Sequence, residues 1–307
     1  MSIIEQAAKR LEELRRSGVD VPWTAAGLTQ ERLDSILKEG GGAEAQAPGE
    51  VVALSAGPTK ASRPVRAEAP AVHIDLERLS AQGYLVPNSA RSDLAMEFRQ
   101  IKRPILRNVA EGSGESRRNA LIMVTSALPG EGKTFCSVNL AMSIAMEVDT
   151  SVLLVDADVV RPMVMQRLGL PDSAGLMDVL TDEERDLGDV ILRTNVPKLS
   201  LLPAGSRNAL ATEQLASEAM ERLLTELATR YPDRVIILDA PPLLITSEAR
   251  VLAAHVGQVL VVVDSSKTTE SDVEKAFGAL EHCPLVMSVL NKCSGTEQRR
   301  GYEYGYE

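Results

Sequence analysis

A chain of 307 residues suffices for one large domain or two small ones, and at 44% hydrophobic but 3% aromatic its core must be aliphatic. With 43 acidic against 33 basic residues the formal net charge is −10, which excludes a general nucleic-acid binder, since such proteins neutralise phosphates with Lys and Arg. Cys136, Cys283 and Cys293 have no metal-ligand spacing and form no even framework, so a reducing, cytoplasmic setting is the expectation.

The N-terminal MSIIEQAAKR is charged from its fifth residue and lacks a signal-peptide apolar core. The apolar run at 256–263 is far too short for a membrane span. The sequence therefore predicts a soluble protein without direct membrane insertion, whose membrane role comes through a partner. Residues 2–17 read as a helix: Ser2 and Glu5 have capping-box spacing, and Ile3, Ile4, Ala7, Ala8, Leu11 and Leu14 make one stripe ended by Gly18. Residues 29–39 read as a second short helix, so 1–39 form an N-terminal helical segment. Across 40–70 the composition shifts to Ala, Gly, Pro and Glu without periodicity, which predicts a disordered linker. Ile74, Leu76 and Leu79 look like a docking segment. Residues 89–106 then read as a helix that sets Arg99, Lys102 and Arg103 along exposed faces and that Pro104 breaks or kinks.

Residues 124–134, VTSALPGEGKT, are the centre of the chain. An apolar run over 120–124 stops at Thr125 and Ser126, a Pro129-Gly130 turn follows, and Gly132-Lys133-Thr134 opens the helical stretch CSVNLAMSIAM. Strand, small-residue loop and helix N-terminus in that order make a phosphate-binding loop. Its N–H groups and helix dipole converge on one anion, so Ala127, Leu128, Pro129, Gly130, Glu131, Gly132, Lys133, Thr134 and Phe135 are the candidate ATP-binding set. Lys133 reaches the β/γ-phosphates and the Thr134 hydroxyl sits on Mg²⁺. Ala127 stands where the strict pattern has Gly.

Beyond the loop, short apolar strands at 152–155, 199–202, 235–238, 256–263 and 285–290 alternate with helices, among them a long one over 212–230 and another over 270–280. This predicts an α/β, doubly wound, mostly parallel sheet within a domain spanning 71–293, followed by a polar tail, 294–307. Ligands of such sheets sit beyond the carboxyl ends of the strands. There Val155 leads into Asp156, Asp158 and then Arg161, and Leu238 leads into Asp239. Hard carboxylate oxygen suits Mg²⁺, so Thr134, Asp156, Asp158 and Asp239 are the candidate metal set. Taken singly, each Asp is equally a cap or turn residue.

Three motifs together, ALPGEGKT (127–134), LLVDADVVRP (153–162) and IILDAPP (236–242), resemble the bacterial tyrosine kinases that use P-loop machinery. The segments SIIEQAAKRLEELRR, IDLERLSAQGY and EFRQIKRPIL resemble more narrowly the exopolysaccharide-locus tyrosine autokinases found with PEP-CTERM/exosortase systems. The resemblance implies a P-loop NTPase fold, ATP and Mg²⁺ as cofactors, and phosphorylation of a tyrosine cluster, here Tyr302, Tyr304 and Tyr306. It implies a homo-oligomer that phosphorylates in trans, recruited to the inner face of the membrane by a polysaccharide chain-length determinant that activates it. The family's oligomerising helix carries Glu, Arg and Arg at spacings of three. Here those positions read Met96, Arg99 and Lys102, making Arg99 and Lys102 the candidate oligomer contacts. Lys133 and the loop hold the phosphates, and Thr134 and Asp239 organise Mg²⁺. Asp156 or Asp158, with Asp156 favoured, accepts the tyrosine proton. Arg161 stabilises transferring charge or pairs within its loop, and Asn291 reads adenine. The rivals are a nucleotide-binding scaffold for the polysaccharide machinery and an ATPase switch of the MinD/ParA type. Leu128 stands where those proteins carry an extra lysine, which favours the kinase.

Overall fold

Strands covered on both faces have no solvent side to pattern, so they appear as unbroken aliphatic runs. The computed structural model describes residues 70–89, 91–112, 117–182, 184–230 and 234–293. The expected N-terminal helices, the linker up to residue 69 and the tyrosine tail lie outside them. The described strands are β1 (Ala71–Val72), β2 (Leu121–Ser126), β3 (Ser151–Asp156), β4 (Leu192–Thr194), β5 (Leu199–Leu202), β6 (Arg234–Asp239), β7 (Gln258–Asp264) and β8 (Val286–Asn291). They form one sheet in the order β1-β4-β5-β3-β6-β2-β7-β8. Every pairing is parallel except that of β4 with β5.

Alternate residues of each central strand enter different cores. Met123, Leu153, Ile236 and Val261 belong to one. Ile122, Leu154, Ile237 and Leu260 belong to the other. Helices cover both faces: α1 (Leu76–Ala81), α2 (Asp93–Glu111), α3 (Lys133–Ala145) and α4 (Val164–Leu168) contribute to the second core. The remaining helices, α5 (Leu176–Thr181), α6 (Ala211–Leu215), α7 (Glu218–Arg230), α8 (Ser247–His255) and α9 (Glu270–Gly278), contribute to the first. This is the doubly wound α/β arrangement. Ile74 and Leu79 are fully buried, so the segment ahead of α2 docks as its apolar spacing predicts.

Three expectations are corrected. Helix α2 begins after the Ser92 cap, whose side chain accepts from the Ala95 N–H, and continues through Pro104 to Glu111. The long helix over 212–230 is two, because Ser217 turns the chain and its hydroxyl accepts from the Met220 N–H. Lys102 is not on an exposed face. It falls on the stripe Ala95, Phe98, Lys102, Ile105 that α2 buries, where Nζ donates to the Ser143 carbonyl at 2.6 Å and pairs with Glu147 at 2.7 Å. That ammonium ties α2 to α3 within one chain, so Lys102 is withdrawn as an oligomer contact. Arg99 is exposed. No helix among the described residues is long and apolar enough to cross a membrane.

Candidate active site

Parallel strands deliver their carboxyl ends to one edge, and β2 sits between β6 and β7 there. From Ser126 the chain loops to Gly132, which precedes α3 with φ 103°. A Cβ at that position would lie 2.0 Å from Asn291 Nδ2, so both backbone conformation and space require glycine. Asn291 Nδ2 donates to the Glu131 carbonyl at 2.8 Å, and Lys292 Nζ to the Gly130 carbonyl at 2.6 Å. The Glu131 carboxylate, itself buried, accepts the Leu128 N–H at 2.6 Å and the Thr268 hydroxyl. The loop is thereby braced from the ends of β7 and β8. Asn291, expected to read adenine, holds the loop in this structure.

Under the loop lie the acids. The Thr134 hydroxyl donates to Asp239 Oδ2 at 2.7 Å and the Ser137 hydroxyl to Oδ1 at 2.9 Å. Asp239 is fully buried, and burial raises its pKa against the opposing pull of Lys133 and the two hydroxyls. Asp156 pairs in register with Asp239 across β3 and β6. Its Oδ2 accepts the Val164 N–H at 2.9 Å, while Oδ1 is buried with no hydrogen-bond partner among the described residues. Burial, then the Asp239 charge, push Asp156 up to about 8. Asp158 pairs with Lys133 at 2.6 Å and accepts the Arg161 N–H at 3.1 Å. Burial lowers the Lys133 pKa, but the charges of Asp239, Asp158 and Asp156 outweigh it and hold the ammonium charged.

A cavity of about 1350 Å³ opens above this group, with Lys133, Thr134, Phe135, Asp158, Arg161 and Asn291 in its wall. Asp156 and Asp239 lie beneath it with no exposed surface. The structure thus brings together Lys133, Thr134, Asp156, Asp158 and Asp239, as their placement at strand ends predicts. Ala127 is wholly buried and Leu128 leans on the core, so of these two the loop presents backbone. The oxygens of Thr134 and Asp239, with the unpartnered Asp156 Oδ1, are the hard donors that suit a divalent cation.

Sequence reasoning passed over the brace residues Thr268 and Lys292, and also Arg78, Tyr84 and Arg167 in the cavity wall. Asp264 alone left a signal, as a further acid ending an apolar strand. Its hydrogen bonds from Lys292 and Ser266 hold it down to about 2.

Residues 120–282 match the AAA domain family. The chain is 31% identical over 222 residues to the tyrosine-protein kinase YwqD of Bacillus subtilis, covering 72% of this chain and 87% of that protein. Against EpsB of Ralstonia nicotianae it is 30% identical over 225 residues, 73% of this chain but only 29% of that longer protein. The kinase domain of the Escherichia coli tyrosine kinase ETK superposes with a TM-score of 0.55 at 25% identity, covering 76% of this chain and 99% of the domain.

Proposed function

Because the chain belongs to the bacterial tyrosine-protein kinases built on an AAA-type P-loop domain, we propose that it phosphorylates the tyrosines of its own polar tail, Tyr302, Tyr304 and Tyr306. The observation that carries this reading is the convergence of Lys133, Thr134, Asp156, Asp158 and Asp239 at one cavity. The phenolic oxygen bonds to the γ-phosphorus of ATP as the bond from that phosphorus to the β–γ bridging oxygen breaks, and ADP leaves. Lys133, drawn from Asp158 onto the phosphates, and the loop amides hold the transferring charge, with Arg161 beside them. Thr134 and Asp239, with Asp156 beneath them, are the residues that would hold Mg²⁺, which supplies charge neutralisation of the phosphates when bound. Asp158 is paired with Lys133 instead, and among the described residues no three acids cluster to hold an ion.

Asp156 takes the phenolic proton in its ionised form, which burial and the Asp239 charge make the minor one until pH approaches about 8, so transfer rises with pH toward that value. One observation favours Asp158 for the same task, since Asp158 lines the cavity while Asp156 is covered. Single Asp156→Asn and Asp158→Asn variants separate the two, because only loss of the base removes the acidic limb of the pH–rate profile.

The tail of one subunit is modified in the site of another within a homo-oligomer. A membrane polysaccharide chain-length determinant recruits the protein to the inner face of the membrane and stimulates it. These readings rest on the sequence resemblance. The decisive measurement is phosphotyrosine mapping by mass spectrometry after incubating purified protein with Mg·ATP. Label on Tyr302, Tyr304 and Tyr306, lost in Lys133→Met, is the expected result. Phosphate release without protein labelling would instead favour an ATPase switch, and full labelling of a variant with Phe at all three positions would remove the tail assignment.

A further inference from the structure

Charge around the cavity is strongly one-sided for a chain of net charge −10. Its wall contains Arg78, Lys133, Arg161, Arg167 and Lys292, with Asp158 the acid among them. Lys133 is committed to Asp158 and Lys292 to Asp264. Arg78, Arg161 and Arg167 are exposed, and no ion pair joins any of them to a described residue. Arg161 belongs to the Asp158 loop, beside Lys133. The other two come from elsewhere in the fold: Arg78 from α1, ahead of the phosphate loop, and Arg167 from the last turn of α4.

Both line one cavity, and the turn that ends α4 lies against Arg78. Gly169 caps α4 with φ 73°, and a Cβ there would lie 1.7 Å from Arg78 Nη1, so the Arg78 guanidinium rests on bare backbone two residues from Arg167. Tyr84 lines the same cavity, and its ring packs on Phe135 with centroids 5.1 Å apart. Arg167 acts electrostatically on the Tyr84 hydroxyl. The triphosphate is already served by the loop amides and Lys133, so two further cations in the same wall, neither paired with a described residue, suit a second anion. Planar guanidinium groups favour a carboxylate there.

We infer that Arg78 and Arg167 form a peptide subsite selecting for an acidic residue next to the tyrosine to be phosphorylated. The occupant is segment 301–307 of a second copy of this chain. That segment, GYEYGYE, places Glu303 and Glu307 beside its tyrosines and contains no cation, so its charge complements the arginine pair. The inference rests on the kinase reading for the role of the subsite, but its binding test does not.

Fluorescence anisotropy of labelled GYEYGYE and GYQYGYQ peptides on the full-length protein tests it, with each chain's own tail a constant competitor. Joint replacement Arg78→Ala and Arg167→Ala is expected to weaken GYEYGYE about tenfold, the scale of losing charge-assisted hydrogen bonds at an exposed site. Binding of GYQYGYQ is expected to be weaker on the unmodified protein and indifferent to the change. Affinity for a fluorescent ATP analogue, kept within about twofold, certifies the fold; Arg167→Gln alone serves if the double variant fails to fold. Equal binding of both peptides, or equal weakening of both by the arginine changes, overturns the subsite. In parallel, Mg·ATP is added and phosphopeptide measured. Glu-dependent binding without phosphorylation would sink the kinase reading and leave the subsite standing, whereas equal phosphorylation of both peptides by every variant would sink the subsite alone.

Discussion

Asp239 and Asp264 occupy matching positions, ending the two strands that flank the phosphate-loop strand. Both are covered from solvent, but Asp239 lies deep in the fold and Asp264 near its surface, and they behave oppositely. Asp239 receives hydrogen bonds from two neutral hydroxyls, Thr134 and Ser137, and burial raises its pKa. Asp264 receives an ammonium, Lys292, at 2.7 Å and two bonds from Ser266, which pull it down to about 2. The hydroxyls orient Asp239, and the cation that acts on it, Lys133, is paired with Asp158 instead, so Asp239 remains poised for an incoming cation. Lysine completes Asp264 and makes it a brace. One residue type at one kind of address thus serves chemistry on one side of the loop and rigidity on the other.

The comparison breaks most visibly on activity. Asp239→Asn is expected to lower phosphotyrosine formation about 10³-fold, the scale of removing one preorganised electrostatic group. Asp264→Asn is expected to cost about tenfold or less, through a looser phosphate loop. Equal losses in the two variants, measured as initial rates with Mg·ATP, would end the distinction. A pH series sharpens it. In the fold Asp156 keeps its proton to about pH 8, whereas its ordinary value is 3.8. Its contribution to stability is therefore complete below about pH 4 and is lost as pH rises through about 8. Asp156→Asn has no such proton to lose. Without Mg²⁺ the variant is expected to melt on the order of several °C higher than the parent at about pH 8.5 and to converge with it near pH 4. A higher-melting parent at alkaline pH would contradict the reading.

The chemistry side was legible and the brace was not. Strand 199–202 lies where its apolar run predicts, and Lys133, Thr134, Asp156, Asp158 and Asp239 converge because the carboxyl ends of parallel strands share an edge. By contrast, β4 has only three residues and pairs antiparallel, too short for any period to register. Ser217 breaks a helix whose apolar stripe runs on across it. Lys102 occupies a stripe position, and a charged residue there reads as exposed unless its partners are known. Those partners, the Ser143 carbonyl and Glu147, are set by how α2 packs on α3. The brace depends on contacts from Thr268 and Lys292 to Glu131 and Gly130, separated by 137 and 162 residues, which no local pattern encodes.

Two changes probe the brace itself, in falling order of effect. Lys292→Met removes the bond to the Gly130 carbonyl and the partner of Asp264. It is expected to weaken nucleotide binding about tenfold, read by titration with a fluorescent ATP analogue, because a buried carboxylate loses its cation beside the loop. A loss of phosphoryl transfer with unchanged nucleotide affinity would instead assign Lys292 to the chemistry.

Thr268→Val is the mildest case and the cleanest, being nearly isosteric. The hydroxyl it removes donates to the Glu131 carboxylate and accepts the Asp264 N–H. Glu131 retains the Leu128 N–H, while Asn291 and Lys292 still hold the loop carbonyls. The buried carboxylate loses one of two donors, which costs about 1–2 kcal/mol and a fall in melting temperature of roughly a few °C. Nucleotide affinity and phosphotyrosine rate are expected to change by less than about threefold, and saturating Mg·ATP restores most of the lost melting temperature by mass action. Should Thr268→Val abolish transfer as Asp239→Asn does, rigidity on the β7 side and chemistry on the β6 side would be one function, because a brace that costs little stability yet stops the reaction is positioning reacting atoms.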